Sequence, residues 1–301
     1  MPCGYEEDNT RVPTLEEWYA QESHQPYVID RPDSVGGAFL IHGFLGSPAE
    51  TRPIADLMRV HRLNVTAPLV PGMAGDIASL NQVTAAEWTA HIGAAWEEFA
   101  ARTSRRVLVG HSLGGALALH LAATSPIPPD LMILLAPFTR IGDWRGRVLP
   151  IGKHFVHEVS FYSNLDLENA ETRAWFEKTM PGLDLDDPEI VNTIKHDSAV
   201  STETLDQLRR LAGAVRKVSG SITAPTVILQ GHRDNVVRPQ DTRSLAGNLK
   251  GLLEYHEFSG NHFLPFATFD SWDDVQHLVD RALTKHLPAV RSPAETREKQ
   301  T

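Results

Sequence analysis

The feature that most constrains this chain is the pentapeptide Gly110-His111-Ser112-Leu113-Gly114 together with what flanks it. Val107-Leu108-Val109 before it is a short β-branched run and reads as a buried strand. Leu113 through Ala123 after it is rich in Ala and Leu and reads as a helix. A strand that passes straight into a helix through G-x-S-x-G lifts the Ser hydroxyl above the end of a sheet. The outer glycines are needed because so tight a turn leaves no room for a Cβ at Gly110 or Gly114. A Gly-rich turn that merely packs a strand on a helix has the same composition, so the partners must decide.

A serine hydroxyl is a weak nucleophile at neutral pH and needs an adjacent base. Downstream, Pro225 to Gly231 reads as a strand, and Asp234 follows just past its C-terminal end. Open α/β sheets place their sites at that edge. Leu253 to Phe258 alternates like a last strand, and His262 lies in the loop after it. Taken singly, Asp234 is as readily a turn or N-cap residue and His262 a satisfied loop histidine. In the order Ser112, Asp234, His262, each after a strand, they form a candidate nucleophile, orienting acid and general base. Asp143 and Asp241 are the alternative acids.

Upstream, Gly37 to Ile41 reads as a buried strand that runs into His42-Gly43-Phe44-Leu45-Gly46-Ser47-Pro48. The backbone N–H of Phe44 and that of Leu113, the residue after the candidate nucleophile, are the expected oxyanion donors. Leu113 also opens a helix, whose dipole favours negative charge there. His42 is expected to order this loop through hydrogen bonds.

His42 to Pro48, Gly110 to Gly115, Gly231 to Val237 and Ser259-Gly260-Asn261-His262 resemble α/β-hydrolases of the carboxylesterase and monoacylglycerol-lipase type, over roughly residues 36–290. Two segments depart from the pattern. Pro71-Gly72-Met73-Ala74-Gly75 stands where many relatives carry Gly-His-Gly, and Asn261 is inserted where many bacterial relatives place His directly after Ser or Ser-Gly. The resemblance implies a mostly parallel sheet flanked by helices, with a small helical cap. It also implies hydrolysis of carboxylic esters through an acyl-enzyme, with medium- or long-chain acyl esters such as monoacylglycerols as substrates. An aminopeptidase, a thioesterase, a lactonase or a carbon–carbon bond hydrolase uses the same triad. A peptidase would need a carboxylate for the substrate's amino group, for which Glu168, Glu171 and Glu177 are candidates. A non-catalytic receptor on this fold is the contrasting class; such proteins typically lose a triad member, and this chain keeps all three.

The rest of the chain alternates strand and helix, the signature of a mostly parallel α/β sheet. Strands are expected near 37–42, 63–68, 106–111, 131–137, 225–230 and 253–258, and helices near 49–60, 84–102, 113–124, 202–217, 239–249 and 271–286. Trp88, Ile92, Ala95, Trp96 and Phe99 have helical spacing and are core candidates. The organisation that follows is an N-terminal extension (1–35), a core (36–140 and 201–290), a cap (141–200) and a polar tail (291–301). Trp144, Phe161 and Trp175 in the cap, with Phe263, are candidate walls of an apolar substrate pocket, although cap aromatics also bury a small core of their own.

The formal net charge of −10 argues against a nucleic-acid partner, which needs clustered Lys and Arg. There is no P-loop and no G-x-G-x-x-G after a strand, so no nucleotide cofactor is implied. His154 and His157 have metal-ligand spacing but lack an evident third ligand, and no metal is expected. A single cysteine, Cys3, precludes an intrachain disulfide. No run approaches the roughly 18 apolar residues of a membrane span, and the acidic N-terminus lacks an apolar signal region. The expectation is a cytoplasmic protein acting on a small-molecule ester, with transient lipid-surface contact allowed and no signal of oligomeric state.

Overall fold

Val107-Leu108-Val109, Met132-Ile133-Leu134 and Val227-Ile228-Leu229 are apolar on both faces, and such strands are stable only when helices cover both sides of the sheet. The computed structural model, which describes residues 14–141, 158–160, 166–196 and 199–287, has that arrangement. In chain order the elements are α1 (Leu15–Ala20), β1 (Tyr27–Ile29), β2 (Gly36–Ile41), α2 (Arg52–Val60), β3 (Leu63–Ala67), α3 (Ala85–Ala101), β4 (Arg106–His111), α4 (Leu113–Thr124) and β5 (Leu131–Leu135). They continue with β6 (Glu158–Ser160), α5 (Ala170–Thr179), α6 (Pro188–His196), β7 (Ala199–Ser201), α7 (Thr202–Val218), β8 (Thr226–Gly231), α8 (Pro239–Ala246), β9 (Leu252–Phe258) and α9 (Trp272–His286). The main sheet has the order β1-β3-β2-β4-β5-β8-β9. Only β1 runs antiparallel to its neighbour.

Side chains alternate across each strand, which splits the core into two layers. Phe39, Leu108, Leu134 and Ile228 face α3, α4 and α7, and Trp88, Ile92, Trp96 and Phe99 fill that layer from α3. Phe39, Trp96 and Phe99 pack ring to ring at 5.4–5.6 Å. Leu40, Val109, Ile133 and Leu229 face the opposite way, onto Ile54 and Met58 of α2 and Val275, Val279 and Leu283 of α9.

Four features lie outside the sequence expectation. The fifth strand stops at Leu135 because Ala136 takes φ +44° and turns the chain out of the sheet. The helix expected from residue 49 is split into a 3₁₀ turn, Pro48–Thr51, and α2, with Pro53 in the first turn of α2, where its missing N–H costs nothing. Tyr27–Ile29 adds an edge strand, and β6 and β7 form a small antiparallel ribbon.

The segment before β1 is built into the fold. Thr14 and Glu17 cap α1 reciprocally, each side chain bonding the other's backbone N–H. The capped turn presents Trp18 and Tyr19, both buried, to a third apolar cluster with Ala74, Phe176 of α5, Leu183, Leu185 and Ile190 and Ile194 of α6. Trp18 Nε1 donates to the Pro181 carbonyl at 2.9 Å, so the one polar atom of the indole is satisfied. Arg52 donates to the Ser23 and Glu22 carbonyls and lies over the Tyr27 ring at 4.4 Å. Among the described residues no helix is long and apolar enough to cross a membrane.

Removing a buried Trp leaves a cavity and an orphaned carbonyl, a loss on the order of 3 kcal/mol. Trp18→Ala should therefore lower the unfolding free energy in urea by about that amount. A change below about 0.5 kcal/mol, the range of surface substitutions, would mean that α1 is not part of the packed unit.

Candidate active site

The turn between β4 and α4 puts Ser112 at φ +51°, ψ −112°, a backbone region that non-glycine residues avoid. Hydrogen bonds on both sides hold it there. Ser112 N–H donates to Leu135 O at 3.0 Å, and Ser112 O accepts from Ala116 N–H at 3.2 Å and Phe138 N–H at 2.9 Å. The glycine requirement is literal at Gly114, where a Cβ would overlap the Ile41 and His42 carbonyl oxygens.

The structure brings Ser112, Asp234 and His262 together from the ends of β4, β8 and β9. Ser112 Oγ lies 3.0 Å from His262 Nε2, and His262 Nδ1 lies 2.8 Å from Asp234 Oδ2. With Nδ1–H donating to the carboxylate, Nε2 is left to accept from the Ser112 hydroxyl. Asp234 is also the turn residue its composition suggests: Oδ1 accepts from Val236 and Val237 N–H, both at 2.8 Å, and Gln230 Nε2 donates to Oδ2 at 3.2 Å. Those bonds fix the carboxylate that orients the imidazole. All three side chains are buried. Burial pushes the His262 pKa down, the Asp234 hydrogen bond pulls it up and the nearby His111 charge pushes it down; the net position is below the ordinary histidine value. His262 is thus neutral at neutral pH and able to accept a proton.

The loop after β2 has most of its N–H groups engaged. Gly43 N–H donates to the Glu50 carboxylate, Leu45 N–H to Met73 Sδ at 3.2 Å and Gly46 N–H to Gly43 O at 3.3 Å. His42 Nδ1–H donates to Gly43 O at 2.9 Å while Nε2 accepts from Val70 N–H at 3.0 Å. Phe44 N–H and Leu113 N–H have no hydrogen-bond partner among the described residues. They are the two groups expected as oxyanion donors. Met73, from the segment that departs from Gly-His-Gly, is buried and occupies itself with the loop.

Beside this site lies a mostly apolar cavity of about 480 Å³, lined among others by Trp18, Tyr19, Phe44, Trp175, Phe263 and Phe266. Trp175 and Phe263, two of the expected pocket residues, meet edge to face at 5.1 Å, and Phe263 adjoins the His262 ring at 5.7 Å. Trp144, Phe161, Asp143, His154 and His157 lie outside the described residues. Asp241 pairs with Arg238 at 3.1 Å and Arg140 at 3.4 Å, with no bond to His262. Sequence reasoning missed the contribution of α1. Its capping box with Trp18-Tyr19 signals a helix with an aromatic face, but nothing local says where that face docks.

Comparison with known proteins gives a family and a fold. The sequence model of the family described as serine aminopeptidase, S33, matches residues 69–260. A thermostable monoacylglycerol lipase of Bacillus sp. (strain H-257) is 25% identical over 208 residues, 67% of this chain and 72% of the relative. A structure reported with LipS and LipT, two metagenome-derived lipolytic enzymes, superposes with a TM-score of 0.66 at 20% identity, covering 89% of this chain and 99% of that one. The monoacylglycerol lipase of Paleococcus ferrophilus gives 0.62 at 20% identity, covering 87% and 98%. These structural likenesses establish the α/β-hydrolase fold.

An NMR titration of the His262 ring should give a midpoint below about 6.5, the unperturbed histidine value. Asp234→Asn should move it lower still, because Asp234 is what favours the charged ring. A midpoint at or above the unperturbed value would show that the ring is not buried as described.

Proposed function

This chain belongs to the serine aminopeptidase, S33, family of hydrolases, and on that premise we propose that it hydrolyses carboxylic esters of medium or long acyl chains, monoacylglycerols among them. The observation that carries the reading is the unbroken hydrogen-bond chain Ser112–His262–Asp234 beside the cavity and the two unpartnered N–H groups.

In this scheme Ser112 Oγ attacks the ester carbonyl carbon while His262 Nε2 takes the hydroxyl proton. The carbonyl oxygen becomes an oxyanion, held by Phe44 and Leu113 N–H at the positive end of α4. Collapse breaks the bond to the alcohol oxygen, which takes the proton from His262 and leaves. Water then attacks the acyl-enzyme, giving its proton to His262, and the second collapse returns Ser112 to its hydroxyl and releases the carboxylic acid. Asp234 keeps Nδ1–H in place throughout and stabilises the imidazolium in both halves. Residues 141–200 serve as a cap, and the acyl chain occupies the apolar cavity, where each buried CH₂ contributes about 0.8 kcal/mol.

The family description also raises a peptidase. Holding a substrate ammonium takes an unpaired carboxylate, and among the described residues the only one lining the cavity is Glu50, already bonded to His111 and Gly43. Glu168, Glu171 and Glu177 are exposed and do not line it. That charge balance favours a neutral ester, in keeping with the monoacylglycerol lipases among its relatives.

Turnover of p-nitrophenyl esters from acetyl to palmitoyl should peak at medium or long chains and vanish in Ser112→Ala. Asp234→Asn should cost about 10⁴-fold in kcat through the wrong imidazole tautomer. Ester activity that survives Ser112→Ala, or failure of Ser112 to react with a fluorophosphonate, would overturn the reading.

A further inference from the structure

Next to Ser112 and His262 lies a second buried pair, Glu50 and His111, that the scheme above does not use. His111 is the residue before Ser112, at the end of β4. Its Nδ1 lies 2.9 Å from Glu50 Oε1, and its Nε2 lies 2.9 Å from the backbone carbonyl oxygen of His262. A carbonyl oxygen only accepts, so Nε2 carries a hydrogen. Glu50 Oε1 also accepts the Gly43 N–H, a contact that favours the ionised carboxylate, and against a carboxylate oxygen Nδ1 carries a hydrogen as well. His42, next to the same loop, provides the contrast: its Nε2 accepts from Val70, so that ring is neutral. Gly46 makes room for the pair, since a Cβ there would overlap the Glu50 carboxylate.

We infer that His111 is a charged positioning residue, an imidazolium held by the Glu50 carboxylate, which ties the His262 backbone and the oxyanion loop at Gly43 into one rigid frame. The inference rests on the ester-hydrolase reading for its effect on rate, though not for the charge state itself. Burial pushes the His111 pKa down, but the charge and hydrogen bond of Glu50, the His262 carbonyl and the Asp234 charge outweigh it and hold it above the ordinary value. Burial pushes Glu50 up, and the charge and hydrogen bond of His111, with lesser help from His42 and Gly43, hold it below the usual carboxylate range. The titratable groups facing His111 are thus Glu50, His42, His262 and Asp234. Burying an ion pair is at best weakly stabilising, because desolvation offsets the attraction. A pair placed between the proposed base and the oxyanion loop is better explained by geometry: a displacement of about 1 Å at a reacting group costs on the order of 10²-fold in rate.

The test has two arms. In protein labelled with ¹⁵N-histidine, as wild type and as Ser112→Ala, both ring nitrogens of His111 should be protonated at about pH 6.5, the unperturbed value, and the ring should titrate above it. In Glu50→Gln one of them should lose its proton. Kinetically, Glu50→Gln should lower kcat by on the order of 10²-fold with KM within about twofold, and Glu50→Asp, which keeps the charge, should recover at least about tenfold of that loss. A neutral His111 in the wild type overturns the inference whatever the variants do, including if Glu50→Gln fails to fold. Folded Glu50→Gln with unchanged kcat, while turnover still requires Ser112, overturns the positioning role alone. Turnover independent of Ser112 overturns the ester-hydrolase reading and leaves the charge state to the NMR arm.

Discussion

The strained turn at Ser112 is the constraint on which the rest of the molecule depends. A left-handed φ at a non-glycine residue costs on the order of 1–3 kcal/mol and persists only where its surroundings over-determine it. Here they do. The end of β5 accepts the Ser112 N–H through Leu135 and, two residues past Ala136, sends the Phe138 N–H back to the Ser112 carbonyl. Ala136 itself takes a positive φ to make that return. The two strand exits are therefore stitched together, and the chain leaves β5 toward the inserted segment by a route the turn dictates. The same geometry leaves the Leu113 N–H, at the start of α4, without a partner among the described residues.

A second layer of order comes from contacts distant in sequence. The wall opposite the β2 loop is assembled from α1 at the start of the chain, α5 in the middle and the loop after β9 near the end. Trp18 holds the Pro181 carbonyl, and the Tyr19 hydroxyl reaches the Leu45 carbonyl at 3.4 Å, inside the loop that carries the Phe44 N–H. Leu45 takes φ +58° and hands its N–H to Met73. Two adjacent residues of α1 thus bond it both to the Pro181 segment and to the loop after β2. The apolar cavity and the loop after β2 share one support.

The parts of this arrangement that were legible in the sequence are those with local causes. Ser112 and Asp234 each follow an apolar run and His262 an alternating one, all of which read as strands, and each sits in a turn with its own chemistry: glycines around Ser112, an Asx-type turn at Asp234, and Asn261 accepting the Phe263 N–H beside His262. The two core layers were legible for the same reason, as alternation along strands and 3.6-residue spacing on α3. What escaped was non-local. Tyr27–Ile29 is three residues long and becomes a strand only because β3 offers it an edge. Glu50 reads as an acid in the first turn of a helix, and only the fold reveals that His111, 61 residues on, meets it. Met73 looks like a lost motif and is an acceptor for the Leu45 N–H in the loop after β2.

The distribution of charge around the site argues for the kind of substrate it takes. The carboxylates nearest Ser112 are already answered, Asp234 by His262 and three further donors, Glu50 by His111 and Gly43. The cavity next to them is lined mainly by aromatic and aliphatic side chains. A cationic ligand would enter a region with no free carboxylate among the described residues and would bear the desolvation cost alone. A neutral acyl ester meets no such penalty. On the proposed reaction its only new charge is the oxyanion, which exists in the transition state and not before, and the two N–H groups without a partner of their own are positioned to receive it. Interactions that strengthen only in the transition state raise kcat, and those made equally with the ground state do not. On the proposed reaction, a site whose carboxylates are already answered and whose spare donors receive the developing charge concentrates its binding energy on the reacting centre.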